Sequence, residues 1–462
     1  MPVLTDCINR LLNIHPDLAK NLRELSHDVG HEVYLVGGCI RDAMLGRIIR
    51  DLDLTLSGDG LRLAETLAVR LQCPFVPLYD ANRTGRVILH QGYTIDIASF
   101  KGPTLEEDLS KRDFTVNAMA IRLLDALDGD PSIIDPCNGA KDLALKQLKA
   151  ISSDSFQEDP LRMLRAHRLA SQYNLDIIPE TLAWINKFKE GLSHLPGERL
   201  RHEIIVMLNM RSTVNRIYEM IKTGIFGVLF TESTGKGTLA LVRNLERTDR
   251  LINRDVSFND YGLYHHMPRY TADLRRKRSN LWILRLSSFV LHLIREKGHD
   301  DGYTLVDRVA SRLKLSNNER LVLCQLTLGA KKLLKTFSSP VPGDIDLCQI
   351  LRSGKEDTPG IALLALAHGA GTNSDIPQHS GNAVKRLLSL YSRYRMIQTE
   401  GLLLDGTNIM ADLKISEGPE IGRMLDMLEN IQILHDIQTK EEARKLLYTD
   451  PKSMVKVPPE SP

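Results

Sequence analysis

The sequence predicts an α+β fold, in which a small head with a mixed or antiparallel sheet is followed by an elongated, all-helical region. Three observations lead to this prediction. Short strand-like runs alternate with helical segments only between residue 31 and about residue 125. Beyond about residue 140, nearly every apolar pattern has helical spacing. Aromatic residues make up only 5% of the 462 residues, which disfavours a β-sandwich or a large aromatic-lined barrel.

Five segments are expected along the chain. Leucines at helical spacing predict an N-terminal helical segment over 1–30, and the strand-like runs define a head over 31–145. A helical neck over 146–215, a helical body over 216–400 and a helical tail over 401–462 complete the prediction.

The predicted elements of the head follow from residue periodicity. Strands are expected in the runs EVYLVGG, RDLDLTL, GRVILHQ and YTIDIASF. In the run LRLAETLAVRL, residues 61–71, helical spacing places one set of residues on a single face, namely Leu63, Ala64, Leu67, Ala68 and Leu71. Further helices are expected in DLALKQLKAI, DPLRMLRAHRLASQY, ERLRHEIIVMLNM, WILRLSSFVLHLIREK and NAVKRLLSLYSRYRMIQTEGLLL.

Composition and charge exclude several classes of protein. Charged residues are 26% and hydrophobic residues 42% of the chain, which excludes a disordered or fibrous protein. A net charge of +2 neither favours nor excludes a polyanionic partner. The six cysteines are scattered singly, which is typical of free thiols in a reducing compartment. Because the longest apolar run, 361–367, is too short to cross a bilayer, we expect a cytoplasmic protein without membrane contact.

Acidic residues at fixed spacing predict a metal site. Asp51 and Asp53 are separated by one residue on a predicted strand, so both carboxylates project from the same face. Two carboxylates on one rigid face suit Mg²⁺. The alternative is the solvated edge of a turn. Asp96 would add a third carboxylate from an adjacent strand, and its alternative is an edge-strand side chain that faces water.

A double glycine precedes this acidic pair. Gly37 and Gly38 end an apolar strand just before a helix, where glycines allow a ligand to approach the backbone and free amides attract phosphate. Arg41 would add a cationic fork, unless it only pairs with Asp42 in a tight turn. Together with the acidic pair, this segment predicts a triphosphate site beside a metal site.

Polar residues in the run EEDLSKRDFTVNAMAI extend the predicted site. Arg112, Asp113 and Asn117 are embedded in an otherwise apolar element. Asp113 would hold ribose hydroxyls and Arg112 would face phosphates. The alternative is a helix N-cap with a salt bridge.

A basic helix follows in the run EDPLRMLRAHRLA. Asp159 precedes Pro160, a pattern that equally suits a purely structural N-cap. Arg162, Arg165 and Arg168 recur at intervals of three, which ordinarily marks a solvated face. Their closeness in sequence to the predicted nucleotide site favours a functional role.

The order of these motifs closely resembles that of the class II tRNA nucleotidyltransferases, which comprise the CCA-adding enzymes and the bacterial poly(A) polymerases. The likeness covers residues 31–210 through LVGGCIRD, RDLDLTLSG, KRDFTVNAMA, IIDPCNGAKDLALKQLKAI, EDPLRMLRAHRLA and ERLRHEIIVML. The run DLKISEGPEIGRMLDMLENIQILHDIQTKEEARKLL is similar to the helical C-terminal region of this family. Residues 215–400 carry little that can be matched.

The resemblance implies a role for each residue singled out. Asp51 and Asp53 would bind the catalytic Mg²⁺ ions, with Asp96 as a third catalytic carboxylate. Gly37, Gly38, Arg41 and Asp42 would hold the triphosphate, Asp113 would contact the ribose, and Asp159 and Arg162 would read the incoming base. The other residues implied in nucleotide binding are Arg112 and Asn117, in the same motif as Asp113, and Arg165 and Arg168, on the base-reading helix.

Two supporting segments are implied as well. The segment with Asp135, Gly139 and Asp142 would be a hinge between head and neck, and Arg199, with Glu198, would brace the base-reading helix. The chain departs from the family at position 111, where a lysine replaces the usual arginine and a bidentate contact is lost.

The implied reaction is attack of the 3′ hydroxyl of tRNA on the α-phosphate of CTP or ATP, with release of pyrophosphate at a two-metal site. Only 16 positions separate Asp96 from Arg112, fewer than we expect for the flexible loop of a complete CCA-adding enzyme. We therefore expect addition of C or CC. Complete CCA addition is the first alternative, and a poly(A) polymerase the second.

Outside the head, residues 261–280 predict RNA contacts or, equally well, a solvated loop. They interleave tyrosines with basic residues, namely Arg269, Arg275, Arg276, Lys277 and Arg278. His265, His266 and His299 suggest a metal phosphohydrolase, which the lack of further histidine and aspartate partners at suitable spacing disfavours. A non-catalytic RNA-binding protein would lack one of the two metal-binding aspartates, whereas Asp51 and Asp53 are both present here. A nucleotidyltransferase for small molecules would need neither the base-reading pair nor the long helical region.

Overall fold

The structure is a computed structural model that describes residues 5–6, 9–10, 14–28, 30–78, 83–210, 213–231, 238–253, 263–267, 281–297, 302–337, 343–369 and 378–449. Contacts between Cα atoms divide the chain into two units. The first comprises Met1–Glu203, Met210–Ser212 and Glu219–Leu229, and the second comprises Ile204–Asn209, Thr213–Tyr218 and Phe230–Pro462. The division into five segments stays a prediction.

The first unit contains a mixed seven-stranded sheet. Within the described residues, its strand order is β3-β4-β5-β2-β1-β6-β7. Its strands are β1 (Val33–Val36), β2 (Asp51–Leu56), β3 (Phe75–Pro77), β4 (Gly85–Ile88), β5 (Thr94–Ser99), β6 (Ala120–Arg122) and β7 (Ile133–Ile134). Strands β2 and β5 are parallel, whereas the other neighbouring pairs are antiparallel. The prediction of a mixed sheet in the head is confirmed. Two short strands, β8 (Gln147–Leu148) and β9 (Asp176–Ile177), pair separately.

Helices surround this sheet and continue the first unit. They are α1 (Leu18–Asp28), α2 (Gly38–Met44), α3 (Gly60–Leu71), α4 (Leu105–Ser110), α5 (Leu123–Leu127), α6 (Gly139–Ala144), α7 (Asp154–Glu158), α8 (Leu161–Tyr173), α9 (Pro179–Phe188), α10 (Gly197–Leu208), α11 (Thr213–Lys222) and α12 (Ile225–Leu229). Short 3₁₀ turns cover His90–Gly92, Thr115–Asn117 and Lys189–His194. Helices α10 and α11 contain residues of both units.

The main core of the head lies on one face of the sheet, and a smaller apolar cluster that includes Val36, Leu109 and Ala120 lies on the other. In β2, Leu52, Leu54 and Leu56 are buried, and they alternate with residues that point to the opposite face. Helices α1 and α3 contribute to this core. The predicted apolar face of α3 is confirmed, because every leucine and alanine assigned to it is buried. One face of β2 is thus used for packing and the other is left for polar side chains.

One alternative and one predicted helix differ from the structure. The run DFTVNAMA, for which a helix start was the alternative, instead forms the 3₁₀ turn Thr115–Asn117 and then β6, which pairs with β1 far away in sequence. The run DLALKQLKAI is helical only up to Ala144, because Lys146 adopts a positive φ of 56° and β8 follows. Long-range strand pairing decided both cases, and periodicity within one segment does not report it.

The described part of the second unit is helical. Its helices after α10 and α11 are α13 (Thr238–Ile252), α14 (Leu281–Lys297), α15 (Gly302–Arg312), α16 (Asn317–Thr336), α17 (Asp344–Gly354), α18 (Thr358–Gly369), α19 (Gln378–Glu400), α20 (Gly406–Leu413), α21 (Pro419–Leu434) and α22 (Lys440–Thr449), with 3₁₀ turns at Leu263–His266 and Lys355–Asp357. Helix α18 is buried from Thr358 to His368 and contacts α13, α14, α16 and α19. A helix that is apolar on all sides belongs at the centre of such a bundle. None of the described helices has the length and hydropathy needed to cross a membrane.

Gly139 is the position in the head where a side chain is least tolerable. A Cβ atom there would lie 2.0 Å from the carbonyl oxygen of Thr115. We expect Gly139→Ala to lower the free energy of unfolding by about 3 kcal/mol or more, since backbone rather than a flexible side chain must move. Urea unfolding followed by circular dichroism measures this.

Gly227 in α12 provides the matched control, because a Cβ atom there meets nothing within 4 Å. Gly227→Ala should leave stability unchanged or raise it by up to about 1 kcal/mol, as alanine favours helices over glycine. Equal stability of the two variants would contradict the close packing of α6 on the Thr115–Asn117 turn.

Candidate active site

Three aspartates share one face of the sheet. Parallel pairing of β2 and β5 places Asp53 opposite Asp96 and Asp51 opposite Thr94. The Thr94 hydroxyl donates a hydrogen bond of 2.8 Å to Asp51. Asp51 is exposed and Asp53 is half-buried. The structure therefore brings together the three carboxylates that the sequence predicted from separate strands.

Asp53 is the aspartate of this face whose ionised form is disfavoured by its surroundings. Burial of its carboxyl raises its pKa to about 6, and the nearby carboxylates of Asp96 and Asp51 add to the shift. The guanidinium of Arg112 opposes it without cancelling it. A carboxylate that is held in a partly buried, acidic position gains from a cation placed beside it.

Asp96 has a cationic partner that the sequence analysis missed. Arg86 on β4 donates to both of its oxygens, with distances of 2.7 Å from Nε and 2.6 Å from Nη2. The two residues are direct partners in the β4–β5 pairing, so only knowledge of the register could have found Arg86. Within the described residues, no three histidine, cysteine or acidic side chains form a metal-binding group. The site thus offers Asp51 and Asp53 as the carboxylates that form no ion pair with an arginine within the described residues, and a catalytic role for Asp96 stays a prediction.

The double-glycine turn lies beside these carboxylates. Gly37 has a φ of +76°, in the left-handed region that favours glycine. A Cβ atom there would lie 2.9 Å from Nη1 of Arg112 and 3.4 Å from Oδ2 of Asp53. The Asp53 carboxylate therefore lies beside the turn, as a triphosphate site next to a metal site requires.

Arg41 is buried and turned inward. Its guanidinium hydrogen-bonds the side chains of Asp42, Asn117 and Tyr173. Its carbon Cζ also lies 4.0 Å from the ring centroid of Tyr173. The local pairing with Asp42, offered above as the alternative, is present, and a direct contact of Arg41 with phosphate stays a prediction.

Arg112 leaves one nitrogen directed at the turn. Its Nε and Nη2 bind Oδ2 of the buried Asp108, at 3.3 and 2.9 Å. Nη1 is the atom that approaches Gly37. Arg112 thus presents positive charge to the place predicted for phosphates.

Asp113 is held ionised inside the protein. Its Oδ1 accepts from the backbone of Phe114 and from Asn117, each at 2.9 Å, and its Oδ2 accepts from Arg165 at 2.9 and 3.0 Å. Although burial disfavours the charge, the positive Arg165 and these hydrogen bonds lower the pKa of Asp113 to about 2. Both carboxylate oxygens of Asp113 already have protein partners. A contact between Asp113 and ribose stays a prediction.

The start of α8 carries the predicted base-reading pair. The Asp159 carboxylate accepts from the backbone of Leu161 at 3.2 Å and from Arg199 at 3.0 and 3.1 Å. Arg162 donates to the carbonyl oxygens of Ser155 and Lys111, at 3.3 and 3.1 Å. The expected bracing by Arg199 thus has a direct contact, whereas Glu198 is exposed.

Farther along α8, the arginines meet a buried acid. Arg168 Nε lies 2.5 Å and Arg165 Nη1 lies 3.8 Å from the carboxylate of Glu203 on α10. Glu203 was not singled out in the sequence, because a glutamate within an amphipathic helix gives no sign of burial. These two arginines therefore face protein partners rather than solvent alone.

The predicted hinge segment packs tightly in the head. Asp135 accepts from the backbone amides of Gly139 and Ala140, at 2.7 and 2.9 Å, and so caps α6. Asp142 accepts from the Thr115 hydroxyl at 2.6 Å. A hinge motion stays a prediction.

The predicted RNA-binding residues Arg269, Arg275, Arg276, Lys277 and Arg278 lie outside the described residues, and so does His299. For His265, no side-chain placement is described. His266 packs edge-on against Tyr391, with ring centroids 5.3 Å apart. RNA contacts by the basic run stay a prediction.

Comparisons with known proteins agree with this arrangement. Residues 33–149 match the family model described as the poly A polymerase head domain. Residues 174–234 match the one described as a probable RNA and SrmB-binding site of polymerase A. A CC-adding tRNA nucleotidyltransferase of Geobacter sulfurreducens is 28% identical over 95% of this chain and 97% of its own. An A-adding tRNA nucleotidyltransferase of the same organism is 32% identical over 96% of this chain, which spans 49% of that relative.

A solved structure shares the fold over nearly the whole chain. The Thermotoga maritima CCA-adding enzyme, complexed with tRNA, has a TM-score of 0.67 at 23% identity and covers 93% of this chain and 94% of its own. The similarity extends beyond the head into the helical region, which sequence motifs alone hardly covered.

The raised pKa of Asp53 generates a prediction. Its ionised form is penalised in the folded state above about pH 6, and the penalty disappears below the ordinary carboxyl pKa near 4. Without Mg²⁺ at pH 8, Asp53→Asn should raise the melting temperature by roughly 2–5 °C, with a smaller difference at pH 5. Adding Mg²⁺ should stabilise the wild type but not the variant, as ligand linkage requires. Thermal unfolding followed by fluorescence measures both effects.

Asp130→Asn makes the same change at an exposed position and should behave as the wild type throughout. Equal stabilisation of Asp53→Asn and wild type by Mg²⁺ would refute Asp53 as a metal ligand.

The low pKa of Asp113 predicts the opposite pH dependence. Its contribution to stability is complete above the unfolded pKa near 4 and is lost as the pH falls towards 2. Asp113→Asn should lower the free energy of unfolding by about 2 kcal/mol at pH 7, because Arg165 loses its charged partner. The decrease should be smaller at pH 3.5. Urea unfolding at the two pH values tests this, and a constant difference would count against the ion pair as its source.

Proposed function

Because the chain belongs to the family of tRNA nucleotidyltransferases and bacterial poly(A) polymerases, we propose that it adds C or CC of the 3′-terminal CCA to tRNA, using CTP and releasing pyrophosphate. The family assignment rests on the ordered motifs of the head and on the fold. The choice of cytidine rests on one structural observation, the connection between β5 and Arg112.

This connection is short and well bonded. Five residues, 100–104, lead directly from β5 into α4. The backbone amide of Lys101 donates to Asp108 at 3.0 Å, and Lys111 Nζ donates to the Lys101 carbonyl at 2.8 Å. The backbone amide of Phe100 donates to Leu56 at 2.9 Å. Hydrogen bonds hold this segment at both ends, so it is too short to contain the flexible loop expected of a complete CCA-adding enzyme. The short connection supports addition of C residues only.

Selection of cytosine is assigned to Asp159 and Arg162. Cytosine presents N4–H donors, which suit the Asp159 carboxylate, and N3 and O2 acceptors, which suit the Arg162 guanidinium. Uracil reverses two of these positions, and leaving buried polar groups unpaired costs about 1–3 kcal/mol each. Arg199 orients Asp159, and the Lys111 carbonyl orients Arg162. No nucleic-acid template is then needed.

Asp51 and Asp53 would hold Mg²⁺, and their donor set fits it, since Mg²⁺ commonly takes one or two carboxylates together with substrate phosphates and water. When bound, the metal supplies a lowered pKa for the attacking 3′ hydroxyl and charge stabilisation for the leaving oxygens. Arg112 directs Nη1 at the turn where the triphosphate is expected, so it would balance negative charge there. Because Gly37 has no side chain, Arg112 Nη1 and Asp53 can both approach the turn closely.

A cytoplasmic location is part of the proposal. The five cysteines in the described residues, Cys39, Cys73, Cys137, Cys324 and Cys348, are free thiols. Free thiols suit a reducing compartment, where tRNA is also processed.

Primer extension with defined tRNA ends tests the function. On tRNA that lacks CCA, we expect labelled CTP to be incorporated, and on tRNA that ends in CC we expect little incorporation of ATP. Asp51→Ala and Asp53→Ala should each reduce incorporation by roughly a thousandfold or more, because the metal ligands are lost, while Asp130→Asn retains it.

Efficient ATP addition to CC-ending tRNA would replace the proposal with complete CCA addition. Processive ATP addition to other RNAs would point to a poly(A) polymerase. Unimpaired incorporation by either alanine variant would exclude the acidic pair as the catalytic centre.

A further inference from the structure

A closed ring of polar contacts joins the helix after the double glycine to the base-reading helix. All its members belong to the first unit, and they are, in order, Asp113, Asn117, Arg41, Tyr173, Gln172, Arg168, Glu203 and Arg165. The ring connects α2, the Thr115–Asn117 turn, α8 and α10. No sequence motif indicated that these residues meet.

Tyr173 is the member that links the two helices. Its hydroxyl accepts from Nη2 of Arg41 and, at 3.1 Å, from Nε2 of Gln172. Arg41 in turn donates to the carboxylate of Asp42, from Nε at 3.1 Å and from Nη2 at 3.0 Å. The ring of Tyr173 lies under Arg41 and Arg47, whose Cζ atoms are 4.0 and 4.5 Å from its centroid.

The hydroxyl does more than fill space. Tyr173 is 8% exposed, and a phenylalanine would supply the same apolar contact and the same face for the two guanidinium groups. What phenylalanine lacks is the oxygen that bonds Arg41 on one side and Gln172 on the other. A buried hydroxyl costs free energy unless it is paired, so one charged and one polar partner indicate a specific geometric requirement.

Its place on α8 suggests what that requirement is. Asp159 lies two positions before the first residue of the helix, Arg162 lies in its first turn, and Tyr173 is its last residue. A helix of 13 residues is about 20 Å long, and backbone hydrogen bonds join its consecutive turns. A shift of α8 caused by the base at one end would therefore reach Arg41 and Asp42 through the hydroxyl at the other end.

We infer that Tyr173 is a positioning residue that couples base reading on α8 to placement of the triphosphate motif on α2. The inference rests on the proposed function. Correct pairing of cytosine with Asp159 and Arg162 sets α8, and the Tyr173 hydroxyl then sets Arg41 and Asp42. An incorrect base leaves α8 misplaced and the triphosphate poorly aligned.

Tyr173→Phe in the full chain tests the inference. On tRNA lacking CCA with saturating Mg²⁺, kcat for CTP should fall roughly tenfold, since hydrogen bonds to charged groups are lost. The preference for CTP over UTP in kcat/KM should fall by a similar factor, while the Kd for CTP stays within about twofold. Tyr34→Phe is the matched control, because it removes a hydroxyl bonded to Glu32 in the same head but outside the ring, and it should change none of these values.

A second variant separates coupling from local packing. Gln172→Leu breaks the ring next to Tyr173 but leaves the tyrosine in place, and it should also reduce the preference for CTP. If the two residues act through one connection, the double variant should be no worse than the more severe single variant.

Multiplicative effects of the two substitutions would overturn the inference. So would a Tyr173→Phe protein that melts at a lower temperature but keeps the wild-type kcat and CTP preference, since the hydroxyl would then be only structural. If the wild type incorporated neither CTP nor ATP, the proposed function would fail and this inference with it.

Discussion

The parallel, in-register pairing of β2 with β5 is the constraint on which the rest of the head depends. It places Asp53 directly beside Asp96 and keeps Asp51 on the same face. Three carboxylates on one small surface repel each other, and Asp53 is partly withdrawn from water. Such an arrangement persists only if the surrounding fold supplies positive charge or leaves a place for a cation.

The fold supplies that charge unevenly. Asp96 has a bidentate partner in Arg86, and Asp113 has one in Arg165. Asp53 is influenced by the charges of Arg112 and Arg41, yet burial keeps its pKa raised, at about 6. The uncompensated position is the one beside the double-glycine turn. The acidic and partly buried surroundings of Asp53 lower the stability of the protein when no cation is bound. The same surroundings therefore suit a metal ion and a triphosphate, as is common at functional sites.

Local patterns in the chain predicted much of this architecture. The alternation in β2 placed Asp51 and Asp53 on one face, and the spacing in α3 identified its buried side, because both depend only on the geometry of a single element. Arg86, Glu203 and Tyr173 could not be found in this way. Their importance comes from partners that are 10, 35 and 132 positions away in sequence, and no periodicity reports a contact of that kind.

By itself, the sequence determined the mixed head, the helical region after it, the acidic pair and the order of motifs that resembles that of the tRNA nucleotidyltransferases. It did so because strand and helix periodicity and short motifs are local properties. The tertiary structure decided that Asp96 is the carboxylate paired with Arg86 and that Arg41 binds Asn117 and Tyr173. It also decided that hydrogen bonds hold the segment between β5 and Arg112 in place. Those outcomes depend on strand register and on helices packed together from distant parts of the chain, and only the folded protein sets these distances.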